Sequence, residues 1–361
     1  MAGASVLCER GNRQVEERVR IVDIADELGL STATVSNVIH GKTKKISDET
    51  VRRVQELLEK RQYIPSMAGI LLSQNNSRII GVVVNNHEKY ENKVLEDAFI
   101  ASALNALLFE LEKSGYFMMV KATSDCSDII RYASMWNMDG LVLIGFCKSD
   151  YEELRNKMHI PFVVYEGFFG DNSRICNLTI DNYDGGYQAG TYLYELGHRR
   201  VLCIADNNIC MDKERMDGCA AGMHAKSGKT QVCLMQVPMK KEERLFFYEK
   251  HFEEMMTYTA AFVASDVYAI ELMHFLTERG AAIPKDISLV GFDNISLCEN
   301  VSPRLTTVGQ SPEKRAELAV QALKKLKAGE PVDNIQVLPV KLIIRESISA
   351  PRQERGKGYG K

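Results

Sequence analysis

"VDIADELGLSTATVSNVIHG", residues 22–41, decides how the N-terminal part of this chain is built. Counting from Ile21, the apolar residues Ile24, Ala25 and Leu28 recur at the spacing of a helix with one buried face. Gly29 can stop that helix in a left-handed turn, and Ser31 can cap a second one. In the second helix Leu30, Val35, Val38 and Ile39 turn inward. Thr32, Thr34, Ser36 and Asn37 are left outside, with Ala33 beside them. That outer face is too neutral to serve solubility and too polar for a core. It suits the second helix of a helix-turn-helix, which lies in the major groove, where short donors and acceptors meet base edges and phosphates.

The flanks agree. "GKTKK" (41–45) is a basic loop, and "ISDETVRRVQELLEKRQYIP" (46–65) reads as a third helix capped by Ser47, with Val51, Val54, Leu57 and Leu58 as its stripe. From His40 to Arg78 eight Lys/Arg face four Asp/Glu, although the whole chain carries −3. A positive rim around a neutral reading face is what phosphate anchoring needs. With 361 residues, 45% hydrophobic and 26% charged, two or three domains are expected. The nine cysteines form no CxxC pair, and Cys203 and Cys210 have no histidine at zinc spacing. Free thiols in a reducing compartment, with no metal, follow. The first twenty residues lack the apolar core of a secretory signal, and no run reaches membrane-spanning length. A cytoplasmic chain without a membrane partner is expected.

Beyond a linker, "SMAGILLSQNNSR" (66–78), the texture changes. Nine apolar strand candidates, "RIIGVVV" (78–84), "YFMMVKA" (116–122), "DGLVLIG" (139–145), "IPFVVYEG" (160–167), "RRVLCIAD" (199–206), "TQVCLMQV" (230–237), "AAFVASD" (260–266), "ISLVGFDN" (287–294) and "LTTVGQ" (305–310), are interspersed with helical segments such as 94–113. Strands of this kind belong to parallel sheets covered on both faces, here two doubly wound halves, with ligands at the C-terminal strand ends. "DGGYQAG" (184–190) lacks the GxGxxG spacing, so no dinucleotide cofactor is expected. His198 in "LGHRR" reads as structural. No nucleophile–base constellation emerges, so the chain reads as a binding protein rather than an enzyme.

"VDIADELGLSTATVSNVIHG" followed by "ISDETVRRVQELLEKRQYIP" resembles the head of the lac repressor family of transcription regulators. The likeness continues through "DNYDGGYQAGTYLYELGHRRV" (181–201), "DKERMDGCAAGM" (212–223) and the stretch 263–310, and so spans 21 to about 348. It implies a disordered extension (1–20), an all-α helix-turn-helix head (21–66) and a hinge helix (67–77). These lead to an α/β effector domain of two doubly wound parallel-sheet lobes, resembling periplasmic sugar-binding proteins (78–349), and a disordered tail (350–361). Lobe 1 would comprise about 78–179 and 309–335, lobe 2 about 180–308 and 336–349. The function implied is a homodimeric repressor on near-palindromic operator DNA, controlled by a small-molecule effector such as a sugar or sugar derivative.

By the same resemblance Thr32 and Ala33 read bases, while Thr34, Ser36, His40, Lys42 and Lys44 lie along the DNA. Asn37 stands where several relatives carry an arginine that reads guanine, and Asn prefers the adenine edge. The 41–45 loop is one residue longer than usual. In the hinge, Met67 meets DNA and Leu72 wedges the minor groove, with Gly69 and Ile70 in place of the usual alanine and arginine. Glu166, Arg215, Ser265, Asp293 and Gln310 are the effector-binding candidates, with Phe169 or Phe292 covering an apolar sugar face. The 85–100 stretch is longer than usual and lacks the family's Asn-Pro-Phe-Phe loop.

Overall fold

The computed structural model describes residues 19–64, 77–146, 154, 156–166, 175–225 and 229–352. It divides into two compact units that part between Ser77 and Arg78. Among the described residues the first contains three helices, α1 (Ile21–Leu28), α2 (Thr32–Ile39) and α3 (Asp48–Lys60). The punctuation is local. Gly29 takes φ 64° after α1, the Ser31 hydroxyl accepts from the Thr34 N–H, and that of Ser47 accepts from the Thr50 N–H. Ile24, Ala25, Val35, Val38, Val54 and Leu57 meet in one small core. A forked Arg61–Glu27 pair, at 2.6 and 2.9 Å, also ties the end of α3 to α1.

The second unit holds two six-stranded sheets. The first comprises β1 (Ile79–Val84), β2 (Phe117–Ala122), β3 (Gly140–Ile144), β4 (Phe162–Tyr165), β5 (Ile175–Ile180) and β11 (Ile335–Leu338), in the order β11-β5-β4-β3-β1-β2. The second comprises β6 (Arg200–Ala205), β7 (Gln231–Gln236), β8 (Ala260–Val263), β9 (Ser288–Asp293), β10 (Thr306–Gly309) and β12 (Lys341–Ile343), in the order β12-β10-β9-β8-β6-β7. Every pairing is parallel except β10 with β12. Inner strands such as β1, β3 and β8 are buried along their whole length, as strands covered by helices on both faces must be.

Among the described residues the helices of this unit include α4 (Ala98–Lys113), α5 (Cys126–Met135), α6 (Asn182–Glu195), α7 (Cys210–His224), α8 (Lys241–Met255), α9 (Asp266–Glu278) and α10 (Pro312–Ala328). The expected helix over 94–113 is a 3₁₀ turn (Val94–Glu96) and then α4, which Asp97 caps from its side chain. "DGGYQAG" lies within α6.

All three lobe crossings fall slightly later than expected, and Ile180 still lies in β5 of the first sheet, beside Leu338. Gly309 is still in the second sheet, opposite Asp293, so the return to lobe 1 follows it rather than beginning at 309. The last crossing lies between Leu338 and Lys341, not at 335/336, because Ile335–Leu338 extends the first sheet beside β5. Strands β5, β11 and β12 were not foreseen. Inside β5, Asn177 is fully buried and donates from its side chain to the Asn334 carbonyl.

Candidate functional site

In both sheets strand order reverses beside the first strand, β1/β3 and β6/β8, and clefts open at such points. A cavity of about 190 Å³ lies there, between the lobes. Lobe 1 contributes His87, Ile144 and Gly145 from the ends of β1 and β3, and Tyr165 and Glu166 from the end of β4. Lobe 2 contributes Asp206 after β6, Ala264 and Ser265 after β8, Asp293 at the end of β9, and Asp212 and Arg215 from α7. The His87 ring and the Asn85 amide both reach the Gly145 carbonyl at 3.0 Å, which fixes the lobe 1 rim.

Arg215 is buried and held from three sides. Its Nε donates to Asn182 Oδ1 (2.9 Å) and its Nη1 to the Ala264 carbonyl (2.7 Å), while Phe292 lies 3.8 Å beneath the guanidinium. Its remaining nitrogen stands 3.7 Å from Asp293. Asn182 also donates to Glu166 (3.0 Å), as does the Thr179 hydroxyl (2.8 Å), and Arg315 pairs with the other Glu166 oxygen. Gln310 links the two ends of this chain of contacts, donating to Asp293 (2.9 Å) and accepting from Arg315 (3.2 Å). Glu166 (φ 60°) and Asp293 (φ 114°) both leave their strands in the left-handed region, which side chains rarely adopt. Backbone of this kind persists where its surroundings over-determine it, and it clusters at binding sites.

In the head, α2 exposes Thr32, Ala33 and Asn37, with Thr34, Ser36 and His40 half-buried and Lys42 and Lys44 exposed in the following loop. The Thr34 hydroxyl lies 2.9 Å from that of Ser31 and takes part in the cap. Met67, Leu72, Gly69, Ile70 and Phe169 lie outside the described residues, as do 1–18 and 353–361.

Residues 20–66 match the model for bacterial regulatory proteins of the lacI family, and residues 191–348 match a periplasmic binding protein-like domain. The HTH-type transcriptional repressor PurR of Vibrio atlanticus (strain LGP32) is 30% identical over 308 residues, 82% of this chain and 87% of that protein. The chain belongs to the lacI family. Among solved structures, the lac repressor dimer bound to operator and the anti-inducer ONPF aligns with TM-score 0.79 and 21% identity. That alignment covers 92% of this chain and 100% of the other. A periplasmic binding protein/LacI transcriptional regulator from Alkaliphilus metalliredigens QYMF, complexed with D-xylulofuranose, aligns with TM-score 0.64 and 26% identity. It covers 75% of this chain and 98% of the other.

In this lacI-family chain four of the five expected effector residues, Glu166, Arg215, Ser265 and Asp293, line one cavity. Gln310 stands behind the wall and touches the cleft through Asp293. Phe292 does not cover a ligand face. It is fully buried, packs edge-on to Phe262 and carries Arg215. The aromatic lining is instead Tyr90, Phe99, Tyr165 and Tyr268. Sequence reasoning also missed Asp206, Asp212 and Arg315. Asp206 follows the apolar strand β6, the position at which this architecture places ligand contacts, so a signal for it existed.

Burial raises three carboxyls of lobe 2 above their ordinary range: Asp293 to about 7, against the pull of Arg215, and Asp212 and Asp266 to about 6. Each binds its proton more readily in the folded chain than in the unfolded one, where it titrates near about 4. The stability they lend is therefore full below that range and lost as pH rises through 6 to 7. The melting temperature of ligand-free protein should fall between pH 5 and 7.5 by a larger amount than in an Asp293→Asn variant. Equal slopes in the two proteins would rule out Asp293 as a source.

Proposed function

We infer that this chain is a sequence-specific DNA-binding repressor whose operator affinity is set by a small-molecule effector, a sugar or sugar derivative, held between the lobes. The reading rests above all on α2, whose exposed, uncharged Thr32, Ala33 and Asn37 are braced by a three-helix core and followed by exposed Lys42 and Lys44. Short neutral groups that reach base edges, flanked by cations that reach phosphates, are the two parts of direct readout. The cleft supplies the control: Glu166, Arg215, Ser265 and Asp293 converge from both lobes, and a ligand touching both shifts the equilibrium between their arrangements.

The relatives support the rest of the proposal. PurR is a repressor by name, the lac repressor was solved as a dimer on operator, and the Alkaliphilus protein holds a sugar. A homodimer on a near-palindromic operator follows, acting by binding rather than catalysis and working where the DNA is, in the cytoplasm. No helix among the described residues is long and apolar enough to cross a membrane. We further assign residues 21–66 as head, 67–77 as hinge with Met67 and Leu72 toward the DNA, and 78–349 as effector domain.

The test is binding to duplexes selected from a random pool. Affinity should fall steeply with salt, since each phosphate contact adds about 0.9 to the log–log slope, and Lys42→Ala should reduce that slope by about 1. Asn37→Arg should move the selected motif toward G·C at one symmetric base pair, a preference of about 1–3 kcal/mol. Salt-insensitive binding, or no selected motif at all, would sink the repressor reading.

A further inference from the structure

The charge of the cleft does not balance. Among the described residues five carboxylates line it, Asp97, Glu166, Asp206, Asp212 and Asp293, against two cations, Lys89 and Arg215. Arg215 is already engaged by Asn182, Ala264 and Phe292. Lys89 is an exposed side chain on the 88–90 turn, 5.2 Å over the Tyr90 ring. Two of the carboxylates are satisfied internally: Glu166 by Arg315, Thr179 and Asn182, and Asp206 by the Tyr268 hydroxyl and the Asn207 amide.

The other three keep acceptor capacity. Asp97 uses Oδ1 to cap α4 at the Ile100 N–H, and Asp293 uses Oδ1 for Gln310. Asp212 accepts from the Asn207 amide and sits beside Asp206, whose charge, after burial itself, helps raise it. Across the cleft the Tyr165 hydroxyl is an independent sign of a missing partner. Tyr165 is 2% exposed, lines the cavity, and its oxygen has no hydrogen bond among the described residues. A buried hydroxyl is normally paired, and the cavity that Tyr165 lines offers room for a partner. The Tyr90, Phe99 and Tyr268 rings complete walls of the kind that attract cations.

We propose that the ligand of this cleft is a small hydroxylated molecule carrying a protonated amine, of the amino sugar type. Its ammonium faces Asp97, Asp212 and Asp293, and a hydroxyl meets Tyr165. This rests on the cleft being the effector site and adds the effector's charge. A phosphorylated sugar brings a charge of about −1.5 to −2 among five carboxylates and is excluded by repulsion. With a neutral sugar, Lys89 is, among the described residues, the one cation facing the three carboxylates Asp97, Asp206 and Asp212, and the ligand's amine supplies a second.

Calorimetric titration of the full chain at pH 7.5, above the raised range of Asp293 and Asp212, tests this with D-glucosamine and D-galactosamine, their neutral parents D-glucose and D-galactose, and the two 6-phosphates. The amines should bind at least about tenfold tighter than their parents, a charge pair in a partly dry site being worth that much, and the 6-phosphates should not bind. Asp97→Asn keeps an oxygen to cap α4 and removes the charge. Combined with Asp212→Asn, it should erase most of the amine preference. A neutral sugar or a phosphate binding as tightly as the amine, an unchanged preference in the double variant, or binding by none of the six overturns the proposal. Operator binding by the same preparation reports separately on the repressor reading. Loss of it condemns that reading, whereas operator binding with the wrong order of sugars condemns only the amine.

Discussion

Gly218→Val should leave a chain that has lost about 3 kcal/mol or more of its stability, a large part of the roughly 5–15 kcal/mol a domain possesses. Helices α6 and α7 carry Gly186 and Gly190, and Gly218 and Gly222, each pair four residues apart and so on one helix face. Each glycine costs a helix interior up to about 1 kcal/mol relative to alanine, so four of them need a reason in packing. A Cβ on Gly218 would fall well inside contact distance of the Tyr183 carbonyl, and one on Gly186 would strike the Arg215 carbonyl. Gly190 and Gly222 face the backbone of Cys219 and Tyr187 in the same way. These obstacles are main chain and cannot rotate aside, so the helices would have to separate. Separation would also pull Asn182, on α6, away from Arg215, on α7, which it now meets at 2.9 Å. Urea unfolding followed by circular dichroism should show the loss, and the survivors should respond poorly to effector. A variant within about 0.5 kcal/mol of the parent, the range of an ordinary surface change, would contradict the crossing.

Those glycines show where the sequence was legible and where it was not. The head could be read almost residue by residue because its signals are local: Gly29, Ser31 and Ser47 act on backbone within four residues of themselves. "DGGYQAG" could be refused as a phosphate loop from its spacing. Its positive role depends on α7, about thirty residues away, and no local pattern announces that. Strand β5 escaped for a similar reason. Asn177 breaks its apolar run, and the carbonyl that satisfies the amide belongs to Asn334, 157 positions along the chain. The last lobe crossing lies between β11 and β12, and both are short, partly exposed strands with little apolar pattern. In the cleft, the resemblance placed Glu166, Arg215 and Asp293 together, and the cavity unites them. Arg315 was visible in principle, since it shares a helix face with Ala319, Ala322 and Leu323 and so stands on a buried stripe. A buried arginine demands a carboxylate, but Glu166 is 149 residues away.

The Arg315–Glu166 pair carries the other large effect. Arg315 is 2% exposed and Glu166 6%. The guanidinium also donates to the Leu178 carbonyl (2.6 Å) and lies 4.2 Å over the Tyr165 ring. Arg315→Met would leave the Glu166 carboxylate buried with only Thr179 and Asn182 to satisfy it. Removing one member of a buried ion pair costs about 3–5 kcal/mol, mostly through the charge left behind. Glu166→Gln should cost less, because Arg315 keeps Leu178, Gln310 and the Tyr165 ring. The double variant removes both charges together, and it should be more stable than the sum of the single losses predicts, by about 0.5–3 kcal/mol. The consequences reach the cleft as well. Arg315 stands on α10 of lobe 1 and holds Gln310 at the second crossing, and Gln310 in turn holds Asp293 on lobe 2. Arg315→Met should therefore weaken effector binding even at temperatures where the protein remains folded, whereas a cavity-forming core change of equal destabilisation should not. Strict additivity of the two single losses, or unchanged effector affinity in folded Arg315→Met, would mean that this pair is two independent side chains rather than the lobe 1 anchor of the Gln310–Asp293 link.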